Sequence, residues 1–183
     1  MRYFVSIGGA SGSIYGIRLL QELNKTGHEV HLVVSEGAKT IIQHETKYTY
    51  NVVKTTAHVV YDNDNLYAGP ASGSFLLDGM IVIPCSMKTL SAIAHGFGDT
   101  LTSRAASCCL KEGRKLILVP RETPLDLPGI KNMLMAKESG AIIIPAMPAF
   151  YHKPERIEDL VDFIVGKIFD QLGLKHSLFK RWK

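Results

Sequence analysis

Short, nearly continuous apolar runs alternate with helical patterns along the whole 183-residue chain. The run Met80-Ile81-Val82-Ile83 has no polar face at all. A strand apolar on both sides needs helices on both sides, so such runs belong to parallel sheets. Strand-like runs at 2–8, 29–34, 57–61, 79–84, 116–120 and 141–145 are separated by helical patterns. The helical patterns are 12–26, 36–44, 87–95, 99–112, 127–139 and 155–172. In the first helix Ile14, Ile17, Leu20 and Leu23 recur at helical spacing, and Gly27 follows where a C-terminal capping glycine belongs. The order predicts an α/β fold: one Rossmann-like three-layer domain over 1–183, its mostly parallel sheet flanked by helices. Residues 173–183 form a basic tail ending Lys180-Arg181-Trp182-Lys183.

In such sheets ligands bind beyond the carboxyl ends of the strands, so the residues after each run carry the functional information. The first run ends in Gly8-Gly9-Ala10-Ser11-Gly12-Ser13. Glycines let backbone approach a ligand, and the following helix N-terminus attracts anions. This is a candidate phosphate cradle; the alternative is a tight turn with a capping serine. Ala10 breaks a dinucleotide fingerprint, and neither a P-loop nor a nucleophile elbow matches. Ser35-Glu36 ends the second run: Ser35 suits a phosphate or ribitol, and Glu36 suits a ribose diol or a first-turn helix charge.

Pro84-Cys85-Ser86-Met87-Lys88-Thr89 is a second hydroxyl-rich strand-to-helix turn. Two such turns in one sheet suggest a mononucleotide between them. Pro120-Arg121-Glu122-Thr123-Pro124 places a guanidinium and a carboxylate after a strand, suited to phosphate binding and proton transfer or to a surface ion pair. The last run leads into Phe150-Tyr151-His152-Lys153-Pro154, a ligand-lining composition. Pro70-Ala71-Ser72-Gly73-Ser74 suits close packing on something flat, or a plain loop.

Several classes are excluded or disfavoured. A net charge of +4 is too small for a typical nucleic-acid binder. No apolar run reaches the roughly 18 residues of a membrane span. No secretory leader opens the chain, so a cytoplasmic location is expected. Cys85, Cys108 and Cys109 form no disulfide pattern, and the adjacent pair reads as small apolar residues. Cys85 has no evident histidine partner and reads as structural or as a cofactor contact. Asp62-Asn63-Asp64-Asn65 lacks the glycine and further ligand of a calcium loop and reads as a turn. The seven histidines show no metal-ligand spacing, so no metal is expected.

Taken in order, GGASGSIYGIRLL (8–20), the serine of VVSEGA (33–38), ETKYT (45–49), PASGS (70–74), PCSMKTLSAIAHG (84–96), RAASCCLKE (104–112), LVPRETP (118–124), NMLMAKESGAIIIPAMPAFYHKP (132–154) and IEDLVDFI (157–164) resemble the UbiX family of flavin prenyltransferases. The resemblance covers nearly the whole chain. It implies joining of a dimethylallyl group from dimethylallyl phosphate to N5 and C6 of reduced FMN. The product, prenylated FMN, serves a UbiD-type decarboxylase. It implies FMN contacts from Gly9, Ala10, Ser11, Ser35, Ser86, Met87, Lys88, Thr89 and Arg121. It implies donor contacts from Ser72, Arg104, Lys111, Arg121, Glu122, Tyr151 and Lys167, drawn from more than one subunit of a homo-oligomer, typically a dodecamer. Ser11, Glu45 and Glu122 are the implied catalytic residues. The chain has no aspartate-rich DDxxD motif, and the resemblance implies a metal-free route in which cations and donors stabilise the leaving phosphate.

The family often has arginine where Lys167 stands, and lysine lacks the forked donor, which implies a differently arranged grip. The Trp-ending tail is either a cap over the pocket or a solvated basic end. Two rival functions fit the same fold: an FMN-dependent decarboxylase, which lacks its usual histidine and Asn-containing motif here, and a non-catalytic flavin-binding module.

Overall fold

Six strands form one sheet in the order β3-β2-β1-β4-β5-β6, and every neighbouring pair is parallel. The structure, a computed structural model, describes residues 1–182. The strands are β1 (Arg2–Ile7), β2 (Glu29–Val34), β3 (Val59–Tyr61), β4 (Gly79–Cys85), β5 (Leu116–Pro120) and β6 (Ile142–Ile143). The helices are α1 (Ser13–Lys25), α2 (Glu36–Glu45), α3 (Tyr50–Lys54), α4 (Met87–Ala94), α5 (Leu101–Lys111), α6 (Leu127–Glu138) and α7 (Ile157–Leu172), with a 3-10 turn at Gly69–Ala71.

Side chains alternate across a strand, so each strand feeds two cores. Tyr3, Val5 and Ile7 of β1, with Ile81 and Ile83 of β4, pack under α1 and α7. Phe4 of β1, with Met80 and Val82 of β4, packs under α4, α5 and α6. This is why the central runs read as unbroken apolar sequence.

Three differences from the sequence expectation have local causes. The expected strand at 141–145 shrinks to two residues at the sheet edge, although Ile144 and Ala146 still donate to Leu118 and Pro120 carbonyls. The strand expected at 57–61 begins at Val59: the Ala57 amide still closes the turn after α3 on Lys54, and His58 makes the first bond across to Val30 of β2. The helix α3 had no sequence signal: five residues capped by Thr49 are too short to show a period. Among the described residues no helix is long and apolar enough to cross a membrane.

The strand order reverses between β1 and β4, whose connections run to opposite sides. A sheet with such a switch opens a crevice at the carboxyl ends of those strands.

Candidate functional site

A cleft of about 900 Å³ occupies that crevice. Gly8 and Gly9 line it after β1, Ser35 and Gly37 after β2, and Ser86, Lys88 and Thr89 after β4. The two serines cap helices: Ser35 Oγ accepts from the Ala38 amide at 3.3 Å, and Ser86 Oγ accepts from the Thr89 amide at 3.3 Å. A capping hydroxyl uses its oxygen as acceptor and keeps its proton for an anion in the cleft. The free first-turn amides and positive ends of α2 and α4 favour the same occupant. Met87, grouped with this turn in the sequence reading, does not line the cleft; its side chain packs against the α6-side core.

The two glycines of the first turn differ. A Cβ on Gly8 would meet the Pro84 carbonyl oxygen at 2.6 Å, where the Gly8 amide already donates at 3.0 Å. Gly8 is therefore required by the fold. A Cβ on Gly9 would have nothing closer than 3.7 Å, across a gap from Gly37. Protein packing leaves this cradle open, and a bare backbone there admits a ligand to close approach. Ser13 Oγ and Arg121 Nε are buried without a hydrogen-bond partner in the same region of strand ends. Together these features fit a mononucleotide such as FMN.

Glu45, at the end of α2, crosses to the first turn: its Oε2 accepts from the Gly12 amide at 2.8 Å. Partial burial pushes its carboxyl up, but the Ser11 hydroxyl, the Gly12 and Ser13 amides and the Arg121 charge together hold it below the usual range. Ser11, Glu45 and Arg121 thus form one group around the turn after β1. Glu122 is exposed beside them in sequence, its carboxylate accepting from the Thr123 amide at 3.2 Å. Ala10 is nearly buried within the turn.

A second group lies along β6 and α7. Lys167 and Met147 line a cavity of about 440 Å³ with Ile142–Ile144 and Phe163. Tyr151 packs edge-on against Phe163 at 5.8 Å. Lys153, beside it, holds φ at +55°, a left-handed conformation rare for a residue with a side chain. The tail folds back along α7, placing Trp182 edge-on to Tyr151 at 5.4 Å.

The third group sits elsewhere. Lys111 ends α5 at the amino edge of the sheet, with Ser72 and Ser74 joined by a 2.9 Å hydrogen bond nearby. Arg104 Nε donates to the Ala71 carbonyl at 3.0 Å. The five-residue strand β5 separates this edge from Arg121 by about 15 Å at the usual rise. One chain therefore does not bring Lys111 and Ser72 to Arg121.

Several residues escaped the sequence reading. Asn63, in the run read as a turn, lies in a turn but also clamps α5: its Oδ1 accepts from the Thr102 amide at 3.1 Å and hydroxyl at 2.7 Å. Thr102 in turn hydrogen-bonds Ser6 at 2.8 Å, which fixes the cleft floor. Arg114 donates to the Phe75 and Gly73 carbonyls at 2.7 and 2.6 Å, pinning the Ser72 loop. A polar residue inside β1, Ser6, was the one available signal for the first of these. Cys85 is fully buried, its thiol pushed up to about 12 by burial. Among the described residues no three His, Cys, Asp or Glu side chains gather as a metal site would need.

Comparison with known proteins agrees with this geometry. The family described as Flavoprotein matches residues 1–169. Flavin prenyltransferase UbiX of Thermoplasma acidophilum is 46% identical over 182 residues, covering all of both chains. The UbiX of Thauera aromatica is 48% identical, covering all of this chain and 94% of its own. The crystal structure of AnUbiX in complex with FMN and dimethylallyl pyrophosphate superposes with a TM-score of 0.98 at 46% identity, covering 100% of this chain and 97% of that one. A dodecameric FMN-dependent UbiX-like decarboxylase from Escherichia coli O157:H7 gives the same TM-score and identity, covering all of both chains. Peptidyl-cysteine decarboxylase EpiD, at 21% identity and a TM-score of 0.62, shares the fold alone. By full-length identity, fold and site architecture, this chain belongs to the UbiX family of flavin prenyltransferases.

Proposed function

We propose that this chain joins a dimethylallyl group from dimethylallyl phosphate to N5 and C6 of reduced FMN, yielding prenylated FMN for a UbiD-type decarboxylase. The observation that carries this reading is the Ser11–Glu45–Arg121 group on the same turn whose Gly8 and Gly9 line a mononucleotide-sized cleft. A flavin-binding module needs the cleft but has no use for a carboxylate held ionised beside a hydroxyl and a guanidinium.

Gly9, Ala10, Ser11, Ser35, Ser86, Lys88, Thr89 and Arg121 hold FMN, and Met87 contributes through its backbone amide. Reduced FMN, when bound, supplies the two nucleophilic ring positions. Arg121 and Glu122, with Tyr151 and Lys167, and with Ser72, Arg104 and Lys111 of a neighbouring copy, hold the donor phosphate. The positive charge of Arg104, Lys111, Arg121 and Lys167 stabilises the phosphate as it departs, which is catalysis by fixed electrostatics rather than by proton transfer alone. Glu45 is charged at neutral pH and takes a proton through Ser11; Glu122 is the second proton-handling group. The apolar wall of Phe163, Met147 and Trp182 keeps water from the allylic carbon.

The chain works as one domain over 1–183, within a homo-oligomer that a dodecameric relative exemplifies, and in the cytoplasm. The test is direct: incubate the protein with reduced FMN and dimethylallyl phosphate in the presence of a chelator, then weigh the flavin. A gain of one C5H8 unit is expected. Unchanged FMN with this donor and with the diphosphate that a relative binds would overturn the reading and favour the FMN-dependent decarboxylase.

A further inference from the structure

The tail beyond α7 is held in place rather than solvated. Gly173, at φ +79°, turns the chain back. Gly166 then gives it room, since a Cβ there would lie 2.5 Å from a Phe179 ring carbon and 2.7 Å from a His176 ring carbon. Phe179 packs on Phe163 at 4.9 Å between ring centres. This return path delivers Arg181 to Asp170, where NH2 donates to Oδ1 at 2.7 Å and NH1 to Oδ2 at 3.2 Å. Lys167 Nζ approaches the same carboxylate at 3.6 Å. His176 Nε2 lies 3.1 Å from its Oδ1.

Two full cations thus share one carboxylate. Both cations keep solvent-facing surface: 43% of the Lys167 side chain and 58% of that of Arg181. Asp170 engages only part of a guanidinium that carries five N–H groups. Trp182, the next residue, packs edge-on to Tyr151 at 5.4 Å, so the tail that carries Arg181 also reaches Tyr151.

We infer that Arg181 is a second cation of the donor-phosphate site, supplying from the tail the forked donor that lysine at position 167 lacks. This rests on the donor site proposed above. The competing role is a surface ion pair that merely fastens the tail, and such pairs contribute little to stability.

The experiment is steady-state kinetics of Arg181→Ala, Arg181→Lys, Lys167→Arg and the double variant Arg181→Ala/Lys167→Arg, with FMN affinity measured in parallel. Arg181→Ala should raise KM for dimethylallyl phosphate roughly tenfold or more, the scale of a lost hydrogen bond to a charged group, with FMN affinity unchanged. Arg181→Lys should recover that loss only in part. Lys167→Arg should restore most of it in the double variant, because a fork returns to the site. An unchanged KM in Arg181→Ala, full rescue by lysine, or strictly additive effects in the double variant would each overturn the inference. A wild-type chain that neither transfers the prenyl group nor binds the donor would instead overturn the underlying function.

Discussion

The cleft and the donor wall are built on different principles. The cleft is made largely by consecutive backbone: the turns after β1, β2 and β4 follow their strands directly, with capping serines and first-turn amides as donors, and residues of the α4–α5 connection complete the lining. The donor wall is made by side chains from the body of α7, the loop after β6 and the tail, with Lys111 stranded at the far edge of the sheet. A site built of backbone tolerates side-chain change but not a misplaced Cβ. A site built of long cations tolerates backbone change but depends on every charge.

Four measurements test that contrast. The largest effect concerns the dryness of the cleft's supporting strand. Cys85 and Cys109 have thiols pushed up to about 12 by burial. Near neutral pH their alkylation in the folded protein should be about a thousandfold slower than in urea, as their thiolate population falls with the shift. Rapid labelling of the native protein would show the backbone-built region to be loose. Next, Glu45→Gln should lower prenyl transfer by about a hundredfold or more, the usual span for a lost general base, while FMN still binds.

The same carboxylate leaves a signature in stability. Its folded pKa is depressed, so its contribution is present above the ordinary carboxylate range and is lost as the pH falls through the folded value. Glu45→Gln should therefore melt lower than wild type at neutral pH, and the gap should close in strong acid. A gap that widens in acid would reverse the assignment.

Third, Gly8→Ala should destabilise the fold by about 1–3 kcal/mol, since its Cβ presses on the Pro84 carbonyl. Gly9→Ala should leave the melting temperature intact and weaken FMN binding. Equal effects on both would remove the distinction between a glycine required by packing and one required by ligand. The smallest effect is expected at Arg114→Ala. Two lost hydrogen bonds to the Ser72 loop, each contributing about 1 kcal/mol, should raise the donor KM several-fold without changing FMN affinity.

The same contrast explains what the sequence made legible. Strand runs such as 79–84 and 116–120 stand out because a parallel sheet needs apolar faces on both sides. The cleft turns stand out because they must follow those runs. Arg114, Asp170 and Asn63 left no trace of that kind. Asn63 acts on Thr102 and Arg114 on Gly73 and Phe75, partners distant in sequence, while Asp170 meets Arg181 only because the tail turns back, and no local period encodes such meetings. Lys111 was legible as a residue but not as a location, because only the three-dimensional path of α5 shows which edge it reaches.

The position of β1 bears on how the protein is made. It pairs on one side with β2 and on the other with β4, so the strand that precedes the other five along the chain lies inside the sheet. While the chain leaves the ribosome, β1 and β2 can join early, but one flank of β1 stays bare until residues 79–82 emerge. An unpaired strand edge, with open N–H and C=O groups among mostly apolar side chains, is the kind of surface that attracts chaperones or other nascent chains. Pauses in translation between β3 and β4 would prolong that exposure, whereas pauses after β4 would find the central pairing already formed.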